Sequence, residues 1–506
     1  MVIGDLLASA AAARPDKDAV ICEDRRLSFE ALDAAANRFA HFVLERGMRP
    51  GETLALMARN TIDHAIAYFG AARAGVVLAE LSTRFTREEL RHALGLARAR
   101  AIVLERPYAE LVDARAAAEL QIVAFDPDGG ATGLATLIAG QSAAPPGVAL
   151  DPEAAYCITF TGGTTGRSKG AAASHHARIL SAGYARRDFR LSARDVLAVA
   201  SPLYHAAGLY IWFQPGVMVG ATSVLMPAWN AGRFIELVER RGITAAFFVP
   251  AQLAMVLDDP GFDARRLETL ERIVYGGSPA RPELIARAEA ALPHVAFIQN
   301  YGQTETGPLI SAQPEDRKVN PRAIGRAPAD IDIEIFKAPG VAAAAGEVGE
   351  LATRGAHVML GYVGDADATA QCFKGGDGWA WTGDLAQRDD SGLIELVGRS
   401  KEIIISGGVN VYPAEIEEAL LGNPAVADCA VFGMPDDVWG ELPAAAVVLH
   451  ADAPVAADDL LAFCAGQIAR HKRPRAIFLV DAIPRTAAGK TQRGVLRERF
   501  AGARRP

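Results

Sequence analysis

The run Thr161-Gly162-Gly163-Thr164-Thr165-Gly166-Arg167-Ser168-Lys169-Gly170 follows directly on the apolar stretch Tyr156-Cys157-Ile158-Thr159-Phe160. Glycines let the backbone approach an anion closely, successive amides and threonine hydroxyls donate to phosphate oxygens, and Lys169 adds positive charge. The stretch reads as a strand emptying into a phosphate-holding loop suited to a nucleoside triphosphate. A plain Gly/Thr surface turn is the alternative, and the ten-residue pattern argues against it. The loop cannot be laid over Gly-x-x-x-x-Gly-Lys-[Ser/Thr], which disfavours a kinase-type P-loop. Gly489-Lys490-Thr491 fails the same test, because Pro484 stands where the first glycine belongs. Lys490 therefore needs another task.

Other residues able to do chemistry lie downstream. The strand-like Arg272-Ile273-Val274-Tyr275 breaks into Gly276-Gly277-Ser278-Pro279, and such strand ends are where α/β sheets hold ligands. Tyr301-Gly302-Gln303-Thr304-Glu305 follows; alone it could be a capped loop. Asp384, between Gly383 and Leu385, is a carboxylate suited to accepting from both hydroxyls of a ribose, although an Asp after Gly is also ordinary turn chemistry. Lys490 sits in the flexible Arg485-Thr486-Ala487-Ala488-Gly489-Lys490, where an exposed lysine near a chain end is commonly only solubilising.

The elements that must position these residues alternate. From Ala19 to Arg115, apolar runs such as Thr53–Met57 and Gly75–Leu78 alternate with helical patterns such as Phe29–Arg46, which predicts a doubly wound α/β layer. The Ala/Gly/Pro-rich stretch Gly129–Val148 predicts a surface connection. Alternation then resumes with strands at Val196–Ala200 and Ala245–Val249 and a helix over Ala231–Arg241. From Ile331 to Val397 shorter β segments, among them Gly349–Thr353 and Leu393–Val397, predict a small barrel-like subdomain. The last hundred or so residues suffice for a separate α+β domain: a helix from Glu415 to Leu421, strands Ala425–Phe432 and Ala444–His450, and a helix Leu460–Arg470. The expected division is 1–400 and 401–506.

Bulk properties narrow the class. A chain of 506 residues, half of them hydrophobic, exceeds what one core supports. Its formal charge of −8 lacks the basic face that nucleic-acid binding needs. Cys22, Cys157, Cys372, Cys429 and Cys464 show neither zinc-ligand nor disulfide spacing, as expected of a reducing cytoplasm. Leu6–Ala13 predicts an amphipathic first helix rather than a signal peptide, since Asp5 interrupts it. No run offers the ~20 apolar residues of a membrane span.

Five motifs in this order resemble the adenylate-forming superfamily of acyl-CoA synthetases, luciferases and peptide-synthetase adenylation domains: TGGTTGRSKG at 161–170, YGQTE at 301–305, WTGD at 381–384, GRSKEIIISGGVNVYPAEIE after Gly398, and PRTAAGKTQR at 484–493. The resemblance spans nearly the whole chain. It implies that ATP activates a carboxylic acid as an acyl-adenylate, with Mg²⁺ and lysine neutralising charge, before coenzyme A takes the acyl group as a thioester. By resemblance, Asn300, Tyr301 and Gly302 with Gly276, Gly277 and Ser278 border the adenine, on which Tyr301 stacks. Thr304 contacts the α-phosphate and Glu305 holds Mg²⁺. Asp384 and Arg399 take ribose or phosphate, and Asn410 is a further AMP contact. Lys490 is the adenylation lysine. Lys401 is the hinge of a mobile C-terminal domain, which swings to present Gly407 and Gly408 to pantetheine. Where the family commonly has proline before the loop lysine, this chain has Ser168, which predicts a looser loop.

Pro202-Leu203-Tyr204-His205 resembles the segment whose histidine borders the acyl pocket, which counts His205 among the catalytic candidates; a core histidine is the alternative. By the same resemblance Ala207, Ile211, Gly277, Gly302, Pro308 and Leu309 line that pocket, with Trp212 and Phe213 nearby or simply in the core. Between Ser201 and Leu225 there is no acidic residue to hold an amino-acid ammonium and no Arg or Lys to pair a second carboxylate. The expected acid is therefore apolar, fatty or aromatic. An acyl-AMP ligase loading a carrier-protein phosphopantetheine is the alternative. A non-catalytic nucleotide sensor could dispense with Lys490 and Glu305, and both are present. The oligomeric state, a homo-oligomer included, is not fixed by the sequence.

Overall fold

The computed structural model describes residues 1–127, 130–161, 168–407, 409–436, 438–451, 453, 455–485 and 491–500. They group into two compact units, one of residues 1–161, 168–333 and 353–380, the other of 334–352 and 381–500.

Apolar runs without alternation must be covered on both faces, and the first unit meets this with two sheets and helices. One sheet has eight strands in the order Gly307–Ala312, Ala296–Gln303, Arg272–Gly276, Ala245–Phe248, Val196–Val199, Thr222–Leu225, Asp18–Cys22, Arg25–Ser28. It is parallel through its centre and antiparallel at both edges. The other has seven strands in the order Gly361–Tyr362, Lys169–Ser174, Ala155–Thr161, Val77–Glu80, Thr53–Met57, Ala99–Glu105, Gln121–Phe125. The helix Phe29–Glu45 starts where the Ser28 hydroxyl accepts from the Ala31 amide, and it buries Phe29, Leu32, Ala36, Phe39, Ala40 and Val43 at helical spacing. The helix Ile62–Ala74 is buried on nearly every side, as a helix apolar around most of its surface requires, and it buries Asp63 and His64 as well. Both feed one continuous core that also takes Trp212 and Phe213.

The second unit carries most of a sheet in which Ile394–Arg399, Ala380–Arg388, Gly349–Arg354, Asp332–Ala338 and Val341–Ala342 are successive neighbours, the first pair and the last pair antiparallel. Its C-terminal part pairs Val409–Val411, Ile404–Ser406, Gly440–Leu449 and Val426–Asp436 in that order, with Ala476–Leu479 parallel to Gly440–Leu449. Helices Pro413–Leu421 and Ala457–Gln467 pack on this sheet around Ile416, Leu420, Leu460 and Cys464. The architecture is the expected α/β one: a large N-terminal part of wound sheets and a smaller α+β part.

Several boundaries moved for identifiable reasons. Gly75 does not begin a strand; it caps the helix Ile62–Ala74 at φ +72°, and the strand starts at Val77. The 129–148 connection is less superficial than its composition suggests. Within it Leu134 and Ile138 are buried, while Asn37 donates to the Ala143 carbonyl at 2.8 Å and His41 to that of Ala144 at 3.0 Å. The two C-terminal strands are longer than expected, running to Asp436 and from Gly440, because cross-strand pairing overrides the turn-like Gly433-Met434-Pro435-Asp436. Asp5 belongs to the first helix, Ile3–Ala13, where its carboxylate accepts from the Val2 amide at 2.8 Å. Among the described residues no helix is long and apolar enough to cross a membrane.

Candidate active site

In the first unit, the strands Ala155–Thr161 and Lys169–Ser174 are antiparallel neighbours with Thr161 opposite Lys169. The phosphate-loop candidate is therefore the connection of a hairpin whose base is fixed by the ladder, not a strand-to-helix turn. Gly162, Gly163, Thr164, Thr165 and Gly166 lie outside the described residues. Ser168, the position that lacks proline, is held instead by His92, whose Nε2 donates to the Ser168 carbonyl at 3.1 Å.

The Lys169 ammonium lies 3.7 Å from Asp365 and 5.1 Å from the centroid of the Tyr362 ring. The Tyr362 hydroxyl donates to Glu305 Oε1 at 2.6 Å. Burial first, and the neighbouring Glu305 carboxylate second, push the Tyr362 phenol far above its usual range, so it stays a donor. One phenol thus touches the loop lysine with its face and the expected metal carboxylate with its edge. Neither Tyr362 nor Asp365 was singled out in the sequence. They arrive by a long-range event, the pairing of Gly361–Tyr362 onto Lys169–Ser174, which sets Tyr362 opposite Ala171. Gly-Tyr-Val-Gly-Asp carries no local signal of it.

The Tyr301–Glu305 segment is the end of one strand and the turn after it. Gln303 pairs with Gly307 and Gly302 with Pro308, so residues 304–306 form the turn. A side chain at Gly302 would meet the Gly307 carbonyl oxygen at 2.1 Å, which makes this position glycine by necessity. Tyr301 is buried, whereas Thr304 and Glu305 are half-buried. The Thr304 carbonyl accepts from Arg178 at 2.9 Å and the Glu305 carbonyl from the Met359 amide at 2.7 Å, which anchors the turn from within. Asn300 is buried and its amide donates to Ser311 Oγ at 3.3 Å, inside the hairpin.

The glycine shelf reaches this hairpin through register. Gly276 is the parallel partner of Asn300, and a Cβ at Gly276 would stand 2.3 Å from the Asn300 carbonyl oxygen. Gly277 follows at φ +80° and is exposed, as is Ser278. Adjacent strands thus bring Gly276 beside Asn300, with Gly277 and Ser278 continuing from the one strand as Tyr301 continues the other.

His205 caps the short helix Ala206–Gly208 and its ring lies edge-on to Tyr204, centroids 4.8 Å apart. It is half-buried, as is Ala207, whereas Ile211, Pro308 and Leu309 are buried. The π-helical turn Leu209–Phe213 next to it is a conformation common at functional sites. Trp212 and Phe213 turn away into the core: the Trp212 indole donates to the Ala198 carbonyl at 2.8 Å, and Phe213 packs against Tyr68 and Phe69. Core packing is their role.

The second unit holds the rest. Asp384 is 5% exposed, pairs across the ladder with Arg399, and accepts from Arg399 Nε at 2.8 Å. Its backbone is set by Gly383 at φ +72° and by Thr382, whose hydroxyl donates to the Leu351 carbonyl at 2.7 Å. Lys401 is exposed in the turn Ser400–Glu402. Gly407, at φ +59°, donates its amide to the Trp439 carbonyl at 2.8 Å, and Asn410 is exposed opposite Ile405. Gly408 and Lys490 lie outside the described residues. The two flanks of the Lys490 loop are described: Arg485 faces Thr491 across an antiparallel bridge and clasps Asp428 at 2.8 and 2.9 Å.

As to metal, the donor chemistry fits Mg²⁺. Mg²⁺ takes one or two carboxylates and completes its shell with substrate phosphates and water, and half-buried Glu305 would offer one such hard oxygen ligand. Among the described residues no cluster of three His, Cys, Asp or Glu offers an all-protein cage.

The family model of the AMP-binding enzymes matches residues 7–363, and that of the AMP-binding enzyme C-terminal domain matches residues 415–490. The indoleacetate–CoA ligase of Aromatoleum aromaticum is 33% identical over 506 residues, covering 99% of this chain and 98% of its own. The fatty acid–[acyl-carrier-protein] ligase ScoC of Streptomyces coeruleorubidus is 33% identical over 499 residues, covering 96% and 94%. The crystal structure of ATP-bound MatB from Rhodopseudomonas palustris superposes with a TM-score of 0.92 at 28% identity, covering 99% of each chain.

Proposed function

We propose, for a chain that belongs to the AMP-binding enzyme family and is an AMP-forming acid–thiol ligase, that it couples an apolar acid, fatty or aromatic, to coenzyme A. The observation that carries the reading is the Lys169–Tyr362–Glu305 chain. It sets a phosphate-suited ammonium and a metal-suited carboxylate on one phenol, beside the Gly276–Ser278 shelf. Like-charge repulsion between a carboxylate and a triphosphate is the obstacle to adenylation, and prepositioned positive charge lowers it. Mg²⁺ would be held by Glu305 and would supply further neutralisation of the phosphates. Asp384 would fix the ribose by accepting from its hydroxyls, with Arg399 holding the carboxylate in place. His205, with Ala207, Gly277 and Gly302, would border the acyl group.

The absence of any charged residue between Ser201 and Leu225 supports the apolar acid, because a buried unpaired charge on the substrate would be costly there. The indoleacetate relative is in keeping with an aromatic member of that class. ScoC supports a second reading, transfer to a carrier-protein thiol. The site of action proposed is the cytoplasm, where ATP and coenzyme A are available. A panel of acids with ATP, Mg²⁺ and either coenzyme A or a phosphopantetheinylated carrier protein tests this, read as AMP release and thioester mass. Turnover of phenylacetate-like or fatty acids with coenzyme A is expected. Activity confined to malonate or to amino acids overturns the apolar pocket, and turnover only with the carrier selects the second reading.

The two steps divide, in this proposal, between residues 1–400 and a swinging 401–506. Lys401 is the pivot, exposed and in a single tight turn. Proline fixes φ and restricts the residue before it. Lys401→Pro is therefore expected to keep acid-dependent pyrophosphate exchange within about threefold while thioester formation falls by about tenfold or more. Equal loss of both would remove the pivot from this position.

A further inference from the structure

Arg178, on the helix His175–Asp188, is 0% exposed. Other buried arginines of the same unit have a carboxylate: Arg272 pairs with Asp195 and Arg317 with Glu289. Arg178 has none among the described residues; its neighbours are the buried Cys157 thiol and the Tyr210 ring, and its Nε and Nη1 make no hydrogen bond of good geometry there. Its guanidinium carbon lies 4.1 Å from the centroid of the Tyr210 ring, and Nη2 donates to the Thr304 carbonyl at 2.9 Å. Burying a cation without a counter-ion opposes folding, so a purely structural role is a poor account of it.

Its surroundings identify what the charge serves. One helical turn along, Ser181 backs the same loop: Gly307 stands at φ +70°, and a Cβ there would be 2.3 Å from Ser181 Oγ. The helix face carrying Arg178 and Ser181 is thus the floor of the 304–306 turn. His357, buried nearby, does not add to the charge, because burial and then Arg178 itself pull its pKa down to about 4. Among the described residues the cation that hydrogen-bonds this turn is Arg178.

We infer that Arg178 is a positioning residue for nucleotide binding, holding the Thr304–Glu305 peptide from beneath and keeping an uncompensated positive charge under the turn that meets the phosphates. Donation to the Thr304 carbonyl polarises that peptide and makes the Glu305 amide a better donor. The charge itself acts through a water-poor interior, where it is screened little. The inference rests on the proposed nucleotide role of the 301–305 segment.

The test is calorimetric binding of MgATP and of adenosine to the full chain, wild type against Arg178→Met and Arg178→Lys. Arg178→Met is expected to bind MgATP about tenfold or more weakly and adenosine within about twofold of wild type, since only the phosphates feel the charge. Its Tm is expected to be unchanged or higher, because an unpaired buried charge has been replaced by an apolar chain of similar length. Arg178→Lys recovers part of the MgATP affinity. Unchanged MgATP affinity in Arg178→Met, or equal weakening of adenosine and MgATP, overturns the inference. Should the methionine variant not fold, Arg178→Gln, neutral but still able to donate to Thr304, is read against the same thresholds. Wild-type protein that binds MgATP but forms no thioester with any acid sinks the proposed activity and not this inference. Active wild type with unaltered MgATP binding in the variants sinks this inference alone.

Discussion

Lys490→Ala is expected to lower acyl-adenylate formation by about 10²–10³-fold, the size seen when a prepositioned charge is removed from a developing anion. Thioester formation from a supplied acyl-adenylate should stay within about threefold of wild type, because in that step the proposed swing has carried the lysine away. The contrast between the two half-reactions is the measurement that matters. Arg485 and Thr491 hold the flanks of the loop, Arg485 through two contacts to Asp428. The substitution leaves that base intact, so loss of folding is not the expected cause. Undiminished acyl-adenylate formation in the purified variant would remove the adenylation role from residue 490.

Glu305→Gln carries the second large effect, about 10²-fold or more in kcat/KM with a higher Mg²⁺ requirement. The amide keeps the shape of the side chain and can still accept from Tyr362, but it loses the charge that a hard cation needs. Tyr362→Phe is the companion: it deletes the 2.6 Å hydrogen bond and leaves both charges. A hydrogen bond to a charged group contributes about 1.5–3 kcal/mol, so a loss of roughly tenfold is expected, and the double variant should be no worse than Glu305→Gln alone. Additive losses measured by titrating Mg²⁺ in pyrophosphate exchange would show that Tyr362 does not act through Glu305.

Legibility followed the range of the interactions involved. The helical pattern Phe29–Arg46 announced the helix, observed as Phe29–Glu45, because periodicity is local. The strand Thr53–Met57 was readable as an unbroken apolar run. The strand Val426–Asp436 was readable only to Phe432, since its last residues look like a turn until the partner strand is known. Trp212 and Phe213 were ambiguous for the same reason: a large apolar side chain beside a pocket segment faces the ligand or the core according to which way a π-helical turn rotates it.

By itself the sequence determined the reaction class. A glycine-threonine cradle, a carboxylate after Thr-Gly, and a lysine in a Gly-Lys loop each leave a structural alternative open when taken alone, and it is their occurrence in one order, the order that resembles the adenylate-forming family, that carries the chemistry without a fold. Tertiary structure alone decided how they are held. Register set Gly276 beside Asn300, a two-residue strand carried Tyr362 between Lys169 and Glu305, and a helix delivered Arg178 beneath Thr304. Those partners are separated along the chain by 24 to 193 residues, and no local pattern encodes a contact that exists only once distant strands have paired.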